Sequence, residues 1–288
     1  MSLYTEIAFK VFSRLADELA VLFPTLPDDI KKGGMKTSAR EYLSNGLMAA
    51  FIFFLIEMPV VSFILGFVFQ GAFTSLITAV SISIVLSAFV FYIFTQYPKT
   101  LVSERSKRID SILPFASLYL STIAGTKLPL DQVFKFFGKN GSYGEVTDQI
   151  QMMNKDMEVF GLDIHTALQR AVDRAPSAKL KDMFWGLLST SVSGGDIGIY
   201  LREKSRSQMN EYRLSIDEFS RKLALYIEIY LTAIILGSIF FVILTSLFSG
   251  ISGVGNTILL QVSTIFIFLP LFSVIFMLLV RMTSPVEE

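Results

Sequence analysis

The sequence predicts an all-α integral membrane protein, with four transmembrane helices and a cytoplasmic bundle of about six helices inserted between the second and third. Three observations carry this. Four apolar runs, 47–69, 72–96, 223–248 and 257–280, are each long enough to cross a bilayer, which takes roughly 20 residues. They form two hairpins whose connections hold no charged residue. Between the hairpins lies a polar stretch whose apolar residues recur at helical spacing, with no alternating strand pattern. Composition agrees, since 52% of residues are hydrophobic and the mean hydropathy is +0.56, well above a soluble chain.

Lys+Arg and Asp+Glu balance at 25 each, so no global field favours nucleic acid. Cysteine is absent, which excludes disulfides, thiol catalysis and thiolate metal sites. The opening MSLYTEIAFKVFSRL lacks the continuous apolar core of a secretory signal. Six Lys or Arg precede the first span, eighteen lie between the second and third, and Arg281 follows the fourth. The positive-inside rule therefore places both termini and the central block in the cytoplasm. The segments are a cytoplasmic N-terminal part (1–46), a transmembrane hairpin (47–97), a helical-bundle domain (98–222), a second hairpin (223–280) and a cytoplasmic tail (281–288).

Leu3 to Phe23 reads as an amphipathic helix with Tyr4, Ile7, Val11, Leu15, Leu19 and Leu22 as its apolar face, stopped by Pro24 and Pro27. The expectation is a helix packed on the domain, because Asp17 and Glu18 disfavour anionic lipid. Ser38 is the expected cap of the helix that follows. In the central block, Glu104–Ile123 is expected to be interrupted or kinked at Pro114. Pro129–Phe137 forms the next helix. Val146, Ile150, Met153, Met157 and Phe160 then mark a narrow packing seam. Gly161 and Asp163 form a turn and cap before a helix with Ile164, Ala167, Leu168, Ala171 and Val172 inward. Pro176 begins another, whose core stripe is Leu180, Met183, Phe184, Leu187, Leu188 and Val192. Gly194-Gly195 turns the chain, and Asp196 caps a last helix that runs without Gly or Pro from Ile199 to Gly237 as a stiff stalk. The Gly161–Leu168 and Gly194–Leu201 stretches echo one another as turn-plus-cap signatures.

The sequence contains no catalytic constellation. His165 is the sole histidine, in a first helical turn where a surface or capping part suits it. Gly33-Gly34 and Gly194-Gly195 lack the spacing and the Lys-Ser/Thr end of a phosphate loop. No catalytic residue, cofactor or metal site is expected. Glu57 is the one ionisable residue deep in a span, expected to hydrogen-bond a Ser or Thr of the second span, to cap beside Pro59, or to contact membrane-embedded cargo. Arg170, Arg174, Lys179, Lys181, Arg202 and Lys204 gather on the helices flanking the Gly-Gly turn and suit a protein partner.

Residues 161–201, GLDIHTALQRAVDRAPSAKLKDMFWGLLSTSVSGGDIGIYL, resemble the platform proteins of type IV filament systems. These include the F component of type II secretion, the tight-adherence pilus proteins and the archaellum platform protein. The pre-membrane segment 30–47, IKKGGMKTSAREYLSNGL, is similar to that of the archaellum and tight-adherence members. The resemblance implies a non-enzymatic membrane platform that couples a secretion-type hexameric ATPase to the insertion or extraction of pilin-like subunits, with the six cations above as candidate ATPase contacts. Many relatives carry two copies of the cytoplasmic domain and this chain has one, so a homodimer or a pairing with a related platform chain is implied. Membrane lipid is a partner by construction of the spans, and nucleic acid is not expected. The competing readings are a membrane subunit of an ATP-driven transporter and a membrane signalling protein. The first would show more spans and intramembrane polar groups, and the second has only short external turns to receive an input.

Overall fold

The computed structural model describes residues 3–68, 72–126, 128–252, 262, 266–267 and 269–283. Among these no strand occurs. Ten helices are described: α1 (Leu3–Ala20), α2 (Leu26–Lys32), α3 (Ala39–Val68), α4 (Ala72–Ala124), α5 (Leu130–Asn140), α6 (Glu145–Glu158), α7 (Ile164–Arg174), α8 (Ala178–Val192), α9 (Ile197–Ser252) and α10 (Leu269–Thr283).

Three helices are long and apolar enough to cross a membrane, over Ala39–Gly66, Phe73–Ala124 and Ile197–Leu247. Phe63, Val85 and Phe240 on them are exposed, as lipid-facing side chains are. Much of the expected fourth span lies outside the described residues, and its second half is α10. The expected interruption at Pro114 is absent. The span helix and the following polar helix are one helix, α4, and it passes through Pro98 and Pro114 uninterrupted. Each proline removes one N–H from a helix of 53 residues, and the remaining ladder carries it. As expected, the stalk and third span are one helix of 56 residues, α9.

The chain divides into two compact units. The first comprises Met1–Leu113 and Ile123–Tyr200. In it, Ser38 accepts from the Glu41 N–H at 3.2 Å and caps α3 as expected. Ala16, Leu26, Ile30, Tyr42 and Leu43 form a core that Phe23, Phe91 and Phe94 complete. Tyr42 stacks on Phe94 with centroids 4.6 Å apart and donates its hydroxyl to the Phe94 carbonyl at 2.8 Å. Gly46 is required there, because a Cβ would stand 2.6 Å from the Phe94 ring.

Helices α5 to α8 pack in sequence order. Gln151 donates to the Gly138 carbonyl and Asn154 to that of Phe134, both at 2.9 Å, so α5 and α6 run antiparallel. The expected inward residues are buried: Val146, Ile150 and Met153 on α6, Ala167, Leu168, Ala171 and Val172 on α7, and Leu180, Met183, Phe184 and Leu187 on α8. Helix α8 starts at Ala178 with Ser177 as its cap, two residues beyond the expected Pro176 start. Two expected core residues are not in the core. Phe160 is 68% exposed and Val192 69%, because each lies past the point where its helix leaves the seam.

The second unit comprises Pro114–Thr122 and Leu201–Glu288. Ser117 bonds Gln208, Ser121 lies 3.5 Å from Ser205, and the Phe115 and Tyr212 rings meet edge to face at 5.2 Å. Further along, Tyr230 bonds Ser273 at 2.9 Å and stacks on Phe276 at 4.4 Å, which joins α9 to α10.

Candidate functional site

Two hydrogen-bonded contacts fix the height of the bundle helices along α4. Arg105 of α4 holds Glu145, the first residue of α6, at 2.5 Å and 2.9 Å through two of its nitrogens. Asp110 of α4 bonds Ser177, the cap of α8. From Asp110 to the end of α4 at Ala124 is about 21 Å, nearly the length of α8; from Arg105 it is about 28 Å, of which α6 spans about 21 Å. The C-terminal end of α8 therefore comes level with the end of α4, the end remote from its apolar span, and that of α6 comes within two turns of it. The start of α9 is there too, since a Cβ on Gly198 would stand 3.4 Å from the Ala124 carbonyl oxygen. Three connections thus share one end of this unit: the one after Ala124, 159–163 and 193–196.

The two later connections are built alike, as the sequence echo implied. Gly161 and Gly194 take φ of +65° and +70°, which reverses the chain where another residue would be strained. Asp163 accepts from the N–H groups of His165 and Thr166 at 3.0 and 3.1 Å. Hydrogen bonds from Thr166, first its hydroxyl and then its N–H, hold the Asp163 carboxyl below its ordinary range. Asp196 accepts from the Ile199 N–H at 3.0 Å. Gly195 has no such φ, but a Cβ there would stand 2.9 Å from the Thr190 methyl. His165 gives the corner its backbone N–H, matching its expected surface place.

These corners expose large apolar side chains. Val159, Phe160, Val192 and Ile199 stand at or beside them, each at least 60% exposed, and Leu128 is exposed near the third connection. Sequence reading assigned Phe160 and Val192 to the core and overlooked Val159, Leu128 and Ile199. The signal was present in the paired turn signatures, each flanked by apolar residues that a tight corner pushes outward.

The six candidate cations are not equivalent. Arg174 pairs with Asp156 at 2.5 Å and Arg170 approaches it at 3.8 Å. The Asp156 side chain is 5% exposed, so these two arginines compensate a buried carboxylate inside the bundle. Lys179 and Lys181 are exposed on the first turn of α8 in the first unit. Arg202 is exposed and Lys204 half-buried on α9, in the second unit. A separate open groove of about 330 Å³ between α5 and α6 carries Lys135, Lys139 and Lys155, with Glu158 3.6 Å from Lys135.

Both carboxylate oxygens of Glu57 are buried without a hydrogen-bond partner among the described residues, so the expected bond to a Ser or Thr of α4 is not formed there. No group of three or more His, Asp or Glu able to hold a metal occurs among the described residues.

Comparison with known proteins fits this arrangement. Residues 116–245 match the family model for protein F of the type II secretion system, a stretch that runs from the end of α4 through the bundle into the apolar part of α9. Over 198 residues the chain is 28% identical to an uncharacterized protein of Methanocaldococcus jannaschii, a match taking in 66% of this chain and 33% of that protein. The chain thus spans about a third of the length of this curated relative. No solved structure matches it. Residues 116–245 therefore form a domain similar to that of the type II secretion system protein F.

Proposed function

We propose that the chain is a membrane platform protein of a type II secretion-like or type IV filament system, which couples a cytoplasmic hexameric ATPase to the assembly of pilin-like subunits. The family match at 116–245 carries this reading. The uninterrupted helices α4 and α9 support it, because each joins polar bundle to apolar span without a flexible break and so can pass force along its axis. The chain needs no active site of its own for this work. Its termini and bundle lie in the cytoplasm, and it acts as a homodimer or beside a related platform chain. The fourth span completes the second hairpin.

The ATPase contact, on this reading, includes the apolar corner pair of Phe160 and Val192 in the first unit; Lys179 and Lys181, at the other end of α8, and Arg202 and Lys204, in the second unit, are separate candidate contacts. Arg170 and Arg174 serve structure instead. The test is co-purification from membranes of the full chain with the secretion-type ATPase encoded nearby, followed by assay of subunit export in a strain lacking the chain. Binding together with loss of export is expected. A chain that binds no such ATPase, or whose loss leaves export intact, overturns the assignment.

A further inference from the structure

Helix α1 has three faces, and packing accounts for one. Ala8 and Ala16 are fully buried, and between them the Phe12 ring meets that of Phe51 at 5.9 Å. A second face carries Glu6, Lys10, Arg14 and Asp17. The third is Tyr4, Ile7, Val11 and Leu15, continued beyond the helix by Leu22. All of these are exposed, Val11 at 61% and Leu22 at 69%. Apart from the half-buried Leu19, the residues whose spacing predicted an inward face therefore look outward.

What covers them follows from where α1 stands. Tyr4 donates its hydroxyl to the Asn45 carbonyl at 2.9 Å, and Asp17 pairs with Arg40 at 2.7 Å. The Phe12 ring meets Phe51 farther along α3. Helix α1 therefore packs against α3 over the stretch between Arg40 and Phe51, which includes Leu47, where the apolar run of α3 begins. Its exposed stripe thus stands at the level where α3 enters the bilayer.

Charge does not oppose this placement. Asp17, one of the two carboxylates that argued against lipid, is compensated by Arg40, whose guanidinium also lies over the Phe9 ring at 5.2 Å. The remaining Glu6 and Glu18 are matched in number by Lys10 and Arg14.

We propose that α1 is an interfacial helix whose Tyr4–Ile7–Val11–Leu15 stripe sits in the headgroup and acyl boundary of the bilayer that α3 spans. Apolar burial holds it there, not attraction to anionic lipid. This seat braces the bundle. Helix α2 follows α1 and buries Leu26 and Ile30 in the core beside α3. The Lys32 carbonyl at its end then accepts from Arg105 at 3.0 Å, the same arginine that holds Glu145 of α6. The membrane surface and the bundle are thus linked by side chains as well as by the spanning helices.

The chain has no cysteine, so single-cysteine variants report cleanly. Val11→Cys, Leu15→Cys, Glu6→Cys and Lys10→Cys in the full chain would carry a small fluorophore, in vesicles of phosphatidylcholine with and without phosphatidylglycerol. At positions 11 and 15, nitroxide-bearing lipid is expected to quench at least about fivefold more than aqueous iodide, with the reverse at 6 and 10, regardless of phosphatidylglycerol. Iodide quenching at 11 equal to that at 10 overturns the proposal. Shielding of position 11 from both quenchers also overturns it, and assigns the stripe to a protein partner or a second copy. Lipid quenching that appears only with phosphatidylglycerol overturns the stated basis of binding.

Discussion

The two ends of the α5–α8 bundle are made from the same parts and finished in opposite ways. At the end nearer the α4 span, residues 175–177 are all buried, Ser177 both caps α8 and bonds Asp110, and Glu145 is held by Arg105 and Arg108. At the far end, two glycine corners leave Val159, Phe160 and Val192 in solvent. Polar groups are used where the bundle must be fixed to α4, and apolar groups are left exposed at the other end. A soluble surface rarely keeps large apolar side chains together without a partner for them. The difference separates a structural end from an interacting one.

Arg105→Ala should break the closed end most severely. It strips Glu145 of its closest partner and leaves the Lys32 carbonyl unbonded, at a cost of about 3 kcal/mol. A thermal melt of the full chain in detergent, followed by circular dichroism, measures this. Ser177→Ala removes a cap and the Asp110 bond together and should cost about 1.5 kcal/mol in the same melt. Gly194→Ala tests the open end's backbone. The Cβ meets nothing within 4 Å, so only the left-handed φ opposes it and the cost is about 1 kcal/mol.

Acid sharpens the contrast further. Burial pushes the Glu145 carboxyl up, but hydrogen bonds from Arg105 and Arg108, and their charges, outweigh that and hold it below the ordinary range. Its stabilising contribution is therefore complete above the unfolded value, roughly pH 4.3, and is lost as pH falls through the lower folded value. Melts on the acid limb should decline less steeply for Glu145→Gln than for the unaltered chain. The smallest effect on stability belongs to Phe160→Ser with Val192→Ser, within about 0.5 kcal/mol, because neither side chain is buried. The same variant should lose ATPase co-purification. A large drop in its melting temperature would show that the open end is structural after all.

Much of this molecule was legible in its residues. Helical spacing located the cores of α6, α7 and α8, and Asp163, Ser38 and Asp196 were readable as caps because a carboxylate or hydroxyl before an apolar run has one local use. Other features were not. Pro114 looked like a break, and the hydrogen-bond ladder on either side runs through it. Arg170 and Arg174 looked like a free basic face, and only folding brings Asp156 from 14 and 18 positions away to take them. The α1 stripe shows the limit most plainly.

The sequence by itself determined most of the helices, three of the apolar spans and the glycine corners, because backbone propensity, hydropathy and φ preference are properties of a few neighbouring residues. It also determined that α1 has an apolar face. Only the tertiary structure decided which face of α1 meets α3, which arginines are already paired and which apolar residues stay uncovered. Burial depends on what lies opposite in space, and no local pattern encodes that.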